Sequence, residues 1–153
     1  MDVKVVNPFL QAIQNIMPQL GFKTVDRGKL SRGEKDLNGL GVTIIVGLSE
    51  QAQGNVVYNM TQDTARQIAS TMMNGMPVTE LDELAQSAVS ELGNMLTANA
   101  ATHFASQGLN VNISSPSMII GHDFKIKLNK EKYIIMEMLI DSLRFEVGLA
   151  IDT

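Results

Sequence analysis

Apolar residues recur at helical spacing near the start of the chain. The repeat follows Asn7-Pro8, which predicts a helix start because Asn is a good N-cap and Pro fits the first helical position. Pro18 and Gly21 indicate where this helix ends. A second, shorter helix is predicted to begin after Thr61, with Thr61 as its N-cap.

The longest helical pattern runs from Asp82 to Phe104, with no proline and a single internal glycine. Thr79-x-x-Asp82, a variant of the capping box, is predicted to open it. At about 100° per residue, one side of this helix collects apolar and small residues. This predicted buried face comprises Ala85, Val89, Gly93, Leu96, Ala100 and Phe104. Glycine inside a helix costs about 1 kcal/mol relative to alanine, so Gly93 predicts a close approach to the sheet or to another helix.

Apolar and β-branched residues at strand spacing fill most of the remaining chain. The predicted strands are Phe22–Leu30, Leu40–Leu48, Gly54–Met60, Phe124–Leu128, Tyr133–Ile140 and Leu143–Ile151, with Leu109–Ile113 and Ser117–Ile120 as one strand interrupted near Pro116. Polar residues from Ser31 to Asn38 predict a turn region, and the charged segment Asp26–Gly39 is expected to be a mobile loop. Hairpin turns are predicted at Asn129–Lys132 and Asp141-Ser142, so the last third is interpreted as an antiparallel meander.

The order of these elements predicts an α+β fold that forms a single domain over residues 1–153. We expect a largely antiparallel sheet of about six strands, with two long helices packed on one face. A helix followed by strands occurs twice, which is consistent with an internal pseudo-duplication. When residues are counted back equally from Leu20-Gly21 and from Gln107-Gly108, Lys4 and Asn7 take the places of Glu91 and Asn94.

Composition excludes several classes of function. The chain of 153 residues has a net charge of −4 with scattered Lys and Arg, so neither nucleic acid nor an anionic membrane is an expected partner. It has no cysteine, which excludes disulfides and thiolate chemistry. No apolar run reaches the roughly 18 to 20 residues of a membrane span, and the N-terminus has no signal-peptide pattern, so a cytoplasmic location is expected. His103 and His122 have no metal-ligand spacing, and no metal site is predicted.

Three polar residues stand out on the longest helix: Ser87, Glu91 and Asn94. Their side chains fall within an arc of roughly 60° and span about 10.5 Å along the axis, on the side away from the core. The apolar residues on the same surface are Leu84, Met95 and Ala98. Polar groups among apolar contact residues indicate a docking site, although from spacing alone a solvated polar stripe is the commoner explanation.

The spacing Ser87-x3-Glu91-x2-Asn94 resembles the [Asp/Ser]-x3-Glu-x2-Asn motif of the CheC/CheX/FliY phosphatases of bacterial chemotaxis. The following Asn99-Ala-Ala-Thr102 is similar to the small-residue tail of the same helix in that family. The element order fits over essentially the whole chain. The single motif, together with a first helix that lacks it, resembles the CheX members more than the two-site CheC members.

This resemblance implies a protein phosphatase that hydrolyses the aspartyl phosphate of a CheY-type response regulator. By the resemblance, Asn94 orients the attacking water and Glu91 pairs with the active-site lysine of the regulator. Ser87 contacts the partner or supports Glu91, and Leu84, Met95 and Ala98 become contacts for the regulator. The regulator supplies Mg²⁺, so no cofactor is expected in this chain.

The resemblance also implies a homodimer joined through sheet edges, because a sheet that does not close leaves an unpaired edge. The sequence does not identify the edge strand. A non-catalytic interaction module of the chemotaxis or flagellar switch, built on the same fold, stays open as an alternative function. A sensor of small ligands has no sequence feature in its favour.

Overall fold

The computed structural model describes residues 3–34, 36–128 and 132–153, and in these residues it places three helices on one face of an antiparallel sheet. The helices are α1 (Val3–Gln19), α2 (Gln62–Met72) and α3 (Glu83–Ser106). The strands are β1 (Val25–Glu34), β2 (Leu37–Asn38), β3 (Gly41–Glu50), β4 (Gln53–Met60), β5 (Val111–Ile113), β6 (Ser117–Gly121), β7 (Lys125–Ile126), β8 (Lys132–Ile140) and β9 (Leu143–Asp152). The predicted α+β class, with two long helices on one face, is confirmed.

The main sheet has seven strands in the order β1-β8-β9-β4-β3-β5, and β6 also pairs with β3. Two hairpins, β3-β4 and β8-β9, form its centre, and β1 and β5/β6 lie at its two edges. Each edge strand pairs with the hairpin from the other half of the chain. This mirrored order is consistent with the predicted pseudo-duplication.

The main core lies between the helices and the sheet. Large side chains that are buried there include Phe9, Ile13, Met17, Ile44, Tyr58, Ile68, Leu96, Phe104, Met136, Met138 and Phe145. The long helices α1 and α3 contact each other directly, with the rings of Phe9 and Phe104 edge to face at 6.1 Å. A smaller apolar cluster lies on the opposite face of the sheet, where Leu37 of β2 and Ile126 of β7 pack with Val57.

The helix start predicted at Asn7 is wrong, because α1 already includes Val3. Val5 and Val6 are only 3% and 5% exposed, and their burial in the core extends the helix ahead of Asn7. Pro8 consequently lies inside the helix, where its missing N–H removes one backbone hydrogen bond.

Two other predicted helix boundaries are confirmed. The first helix ends at Gln19, and Gly21 follows with φ +104°, a conformation that glycine adopts without strain. The second helix is capped by Thr61, whose hydroxyl accepts a hydrogen bond of 3.1 Å from the Thr64 N–H.

The prediction of a mobile loop at Asp26–Gly39 is wrong for the residues of this segment that the structure describes. Strand β1 continues through Ser31 to Glu34 and pairs with β8. Gly33 has no room for a side chain, because the ring of Tyr133 lies against it. The charges that suggested a loop belong to an edge strand, where charged residues discourage pairing with other chains.

The predicted meander is also wrong as a whole. The β8-β9 hairpin turns at Asp141-Ser142 as predicted, but β5 and β6 pair with β3 and β7 pairs with β2. Of the predicted strand Phe124–Leu128, only Lys125–Ile126 is a strand. The hairpin turn predicted at Asn129–Lys132 falls mostly on residues 129–131, which lie outside the described residues.

Candidate functional site

Helix α3 begins one residue later than predicted and is capped by a different residue. The carboxylate of Asp82 accepts a hydrogen bond of 2.9 Å from the Ala85 N–H, so Asp82 is the N-cap and the cap predicted from Thr79 is wrong. An ionised carboxylate also interacts favourably with the positive end of the helix dipole. The helix therefore begins directly after Asp82.

The predicted buried face of α3 is confirmed. Ala85, Val89, Gly93, Leu96, Ala100 and Phe104 are all buried. At Gly93 the helix packs so closely on the sheet that a Cβ would lie 2.8 Å from Cγ2 of Ile44. The close approach predicted at Gly93 is thus confirmed. Asn94, the next residue, belongs to a helix segment that packs directly on β3.

A buried chain of hydrogen bonds links α3 to the sheet beside this contact. The Thr97 hydroxyl donates to the carbonyl oxygen of Gly93 at 2.7 Å, so it must accept from the Tyr58 hydroxyl at 2.8 Å. Both side chains are at most 1% exposed, and burial raises the pKa of Tyr58 well above its usual value. The sequence pattern does not predict these hydrogen bonds, because its only signals are a threonine one turn after Gly93 and a tyrosine in β4.

The outward face of α3 forms one wall of a groove with a volume of about 450 Å³. Ser87, Ser90, Glu91 and Asn94 line it from the helix, and residues 113–116, which lead from β5 into β6, line the opposite side. Ser87 and Glu91 are exposed, and Asn94 is half-buried. The structure therefore brings the three predicted polar residues together and adds Ser90 and the β5-β6 connection, which sequence analysis missed.

The four polar side chains on the helical wall make no side-chain hydrogen bond or ion pair within the described residues. Other hydroxyls of α3 behave differently, since Thr97 and Thr102 each donate to the carbonyl oxygen four residues earlier. The hydrogen-bonding groups of Glu91 and Asn94 are therefore available to another molecule.

The groove offers one carboxylate, one amide and several hydroxyls. Glu91 can accept a charge-assisted hydrogen bond from a cation, and the amide of Asn94 can both donate and accept. Histidine and lysine are absent from its lining in the described chain, and no group of three His, Asp or Glu residues there could hold a metal ion. Such a site can orient and pair with groups supplied by a partner.

The three predicted apolar contacts lie outside the groove lining. Leu84 is 61% exposed, Ala98 is exposed and Met95 is partly buried. His103, in contrast, is engaged within the protein: its Nε2 lies 3.1 Å from Oδ1 of Asn99 and 3.3 Å from Nδ2 of Asn15 on α1.

Within the described residues, no helix is long and apolar enough to cross a membrane.

The sequence profile of the family described as Chemotaxis phosphatase CheX matches residues 42–138. A protein from Thermotoga maritima, CheY-P phosphatase CheX, is 33% identical over 128 residues, which cover 83% of this chain and 82% of that protein.

Solved structures show the same fold. The chemotaxis protein CheX from Desulfovibrio desulfuricans matches with a TM-score of 0.85 and 19% identity, covering 97% of this chain and 99% of that chain. The chain matched in the CheX-CheY-BeF3-Mg²⁺ complex from Borrelia burgdorferi gives a TM-score of 0.79 and 26% identity, covering 99% of this chain and 100% of that chain.

Proposed function

This chain belongs to the chemotaxis phosphatase CheX family, and on that basis we propose that it hydrolyses the aspartyl phosphate of a CheY-type response regulator. We further propose that Asn94 orients the attacking water and that Glu91 pairs with the active-site lysine of the regulator. The observation that carries the proposal is the groove itself, where both side chains point outward with no partner in the described chain.

The reaction requires few functional groups from the phosphatase. An aspartyl phosphate is a labile acyl phosphate, and its hydrolysis requires a water molecule in line with the bond between phosphorus and the aspartate oxygen. The water oxygen bonds to phosphorus while the bond between phosphorus and the aspartate oxygen breaks. The products are inorganic phosphate, which keeps the protons of the water, and the free aspartate carboxylate of the regulator. The carbonyl oxygen of the Asn94 amide accepts a hydrogen bond from the water and holds it in line. An amide is too weak a base to remove the proton, so Asn94 acts by orientation.

Glu91 has a separate role in the proposal. Its exposed carboxylate lies three residues before Asn94, almost one turn along the same helix face. A salt bridge to the lysine of the regulator fixes how the regulator is docked, and therefore where Asn94 enters the phosphorylated pocket.

Mg²⁺ is assigned to the regulator in this proposal, because the groove provides a single carboxylate. When bound there, Mg²⁺ neutralises charge on the phosphoryl oxygens. The CheX-CheY-BeF3-Mg²⁺ complex from Borrelia burgdorferi, in which one chain has this fold, supports a CheY-type partner. A cytoplasmic location stays a prediction.

A phosphate-release assay tests the function. The purified chain is mixed with a phosphorylated regulator and Mg²⁺, and it should increase the rate of phosphate release in proportion to its concentration. Binding of the regulator without faster release would instead favour the alternative function, a non-catalytic interaction module on the same fold.

A further inference from the structure

The second wall of the groove is a β-bulge in the edge strand. Strand β3 pairs with β5 at Leu48 and Ile113, and with β6 at Ile45 and Ser117. Between these two pairs β3 has two residues, whereas the edge chain has three, Ser114, Ser115 and Pro116. The extra residue breaks the ladder beside α3, and bulges at such places redirect side chains toward functional sites.

The bulge is firmly attached to β3. The Ser114 N–H donates to the carbonyl oxygen of Gly47 at 2.9 Å, and the Gly47 N–H donates to the Ser114 hydroxyl at 2.8 Å. That hydroxyl in turn donates to the carbonyl oxygen of Ser115 at 3.0 Å. Pro116 adds a fixed φ angle. The bulge is therefore a rigid part of the groove.

The exposed end of the bulge has no partner within the described chain. Ser115 is exposed, and its hydroxyl makes no hydrogen bond there. None of residues 113–116 is charged, so the bulge neither competes with Glu91 for a cation nor repels a phosphoryl group. A wall of this kind suits a partner that brings its own Mg²⁺, lysine and phosphate.

We propose that Ser115 and Pro116 form a second contact for the phosphorylated regulator, against the regulator loop that borders its phosphorylated carboxylate. This inference rests on the proposed function and adds a positioning surface to it. The bulge and α3 line one continuous groove, so a regulator that places its phosphoryl group at Asn94 also meets the bulge. The bulge then determines which regulators fit, by shape, while Glu91 and Asn94 act on groups common to such regulators.

Ser115→Trp tests the contact, because it adds bulk without changing charge or any residue of the helical wall. Ser106→Trp is the matched control, since Ser106 is also exposed and lies about 18 Å along α3 from Asn94. We expect Ser115→Trp to raise KM for the phosphorylated regulator, and Kd for the regulator loaded with beryllofluoride and Mg²⁺, by at least tenfold. The value of kcat at saturation should fall less than threefold, and Ser106→Trp should change neither constant by more than twofold.

Two outcomes would overturn the proposal. One is a Ser115→Trp protein whose KM and Kd stay within twofold of the wild-type values. The other is a Ser115→Trp protein with a lower kcat and an unchanged KM, which would mean that the bulge positions Asn94 and does not contribute to docking. If Ser115→Trp has a lowered melting temperature, Ser115→Gln, which also adds bulk without charge, is judged by the same criteria. A failure of the proposed function can be distinguished from these outcomes, because the wild-type chain itself would then not increase the rate of phosphate release. The Kd values of wild type and Ser115→Trp would still show whether the bulge contacts the regulator.

Discussion

Glu91 and Asn94 lie less than one helical turn apart, yet their proposed roles differ. Glu91 is exposed and is proposed to pair with a cation of the partner, whereas Asn94 is half-buried and is proposed to contact the reacting water. Measurements of binding affinity and of the rate of phosphate release should therefore distinguish the two roles. Loss of Glu91 weakens docking, and loss of Asn94 removes acceleration from a complex that still forms.

The substitution Glu91→Gln keeps the shape of the side chain and removes its charge. A charge-assisted hydrogen bond contributes about 1.5 kcal/mol or more, so affinity for the beryllofluoride-loaded regulator should fall roughly tenfold. The affinity of the variant should also depend less on salt, because the lost interaction is electrostatic. Isothermal titration calorimetry at two salt concentrations measures both effects.

Glu83→Gln is the matched control, since it removes another exposed carboxylate from the same helix, two turns before Glu91. Its affinity should stay within about twofold of wild type. Equal losses in Glu91→Gln and Glu83→Gln would mean that only the overall charge of α3 matters, which contradicts a specific ion pair.

At the residue scale, periodicity alone predicted that Ser87, Glu91 and Asn94 face outward together, because helical spacing is a local property. The family resemblance supplied their roles. Ser90 and Ser115 could not be found in this way. Ser90 is an ordinary polar residue of a helix surface, and Ser115 reaches the groove only through pairing between β3 and a strand more than 60 residues away in sequence.

Two interactions attach helix α3 to the sheet: the backbone of Gly93 packs closely on β3, and a buried hydrogen-bond chain connects α3 to β4. The approach at Gly93 excludes a side chain, and the link from Tyr58 through Thr97 ends on the Gly93 carbonyl oxygen. Gly93 directly precedes Asn94, and Thr97 follows Asn94 by less than one helical turn. The position of Asn94 in the groove therefore depends on residues that no partner contacts.

Thr97→Val should destabilise the protein, because it leaves the buried Tyr58 hydroxyl without an acceptor while keeping the side-chain shape. The expected loss in free energy of unfolding is about 1 to 3 kcal/mol, measured by urea denaturation. Thr102→Val is the control: its hydroxyl makes the same kind of bond to α3 but is exposed, so its loss should stay within about 0.5 kcal/mol.

The double variant Tyr58→Phe/Thr97→Val removes both hydroxyls and should be more stable than Thr97→Val alone. A Thr97→Val protein that is as stable as Thr102→Val would show that the buried link does not hold the helix.

Elements with strong local signals were predicted well, and those defined by distant pairing were not. The buried face of α3 and the β8-β9 hairpin follow from periodicity and turn residues. The predicted strand Phe22–Leu30 covers only the first part of the polar edge strand β1, and Ser31–Glu34 is predicted as a turn region because the partner strand, β8, lies about 100 residues later. The order of strands in the sheet, and the small sheet of β2 and β7, likewise depend on long-range contacts that the local pattern does not contain.

At the scale of the whole molecule, the two edges of the sheet differ in character. Strand β1 carries Asp, Arg, Lys and Glu, which protect an edge from pairing with other chains. Strand β6 carries no charge, and its Ile119 and Ile120 are 38% and 42% exposed. In the described chain no strand pairs with its outer side. The predicted homodimer should therefore form through β6.

Light scattering at micromolar concentration should give a dimer for the wild-type chain and a monomer for Ile119→Lys/Ile120→Lys. Lys29→Glu, a change on the exposed β1 edge, should leave the dimer intact. A monomeric wild-type protein would contradict the dimer prediction, and a dimer that survives the double substitution would contradict the assignment to β6.

The central claim is that Asn94 orients the attacking water in the pocket of the regulator. Asn94→Ala tests it most directly, in an assay that measures phosphate release at saturating concentrations of the variant. We expect Asn94→Ala to fold, to bind the beryllofluoride-loaded regulator within about threefold of the wild-type affinity, and to leave the rate of phosphate release no higher than that of the regulator alone. An Asn94→Ala protein that accelerates phosphate release as well as wild type would contradict it.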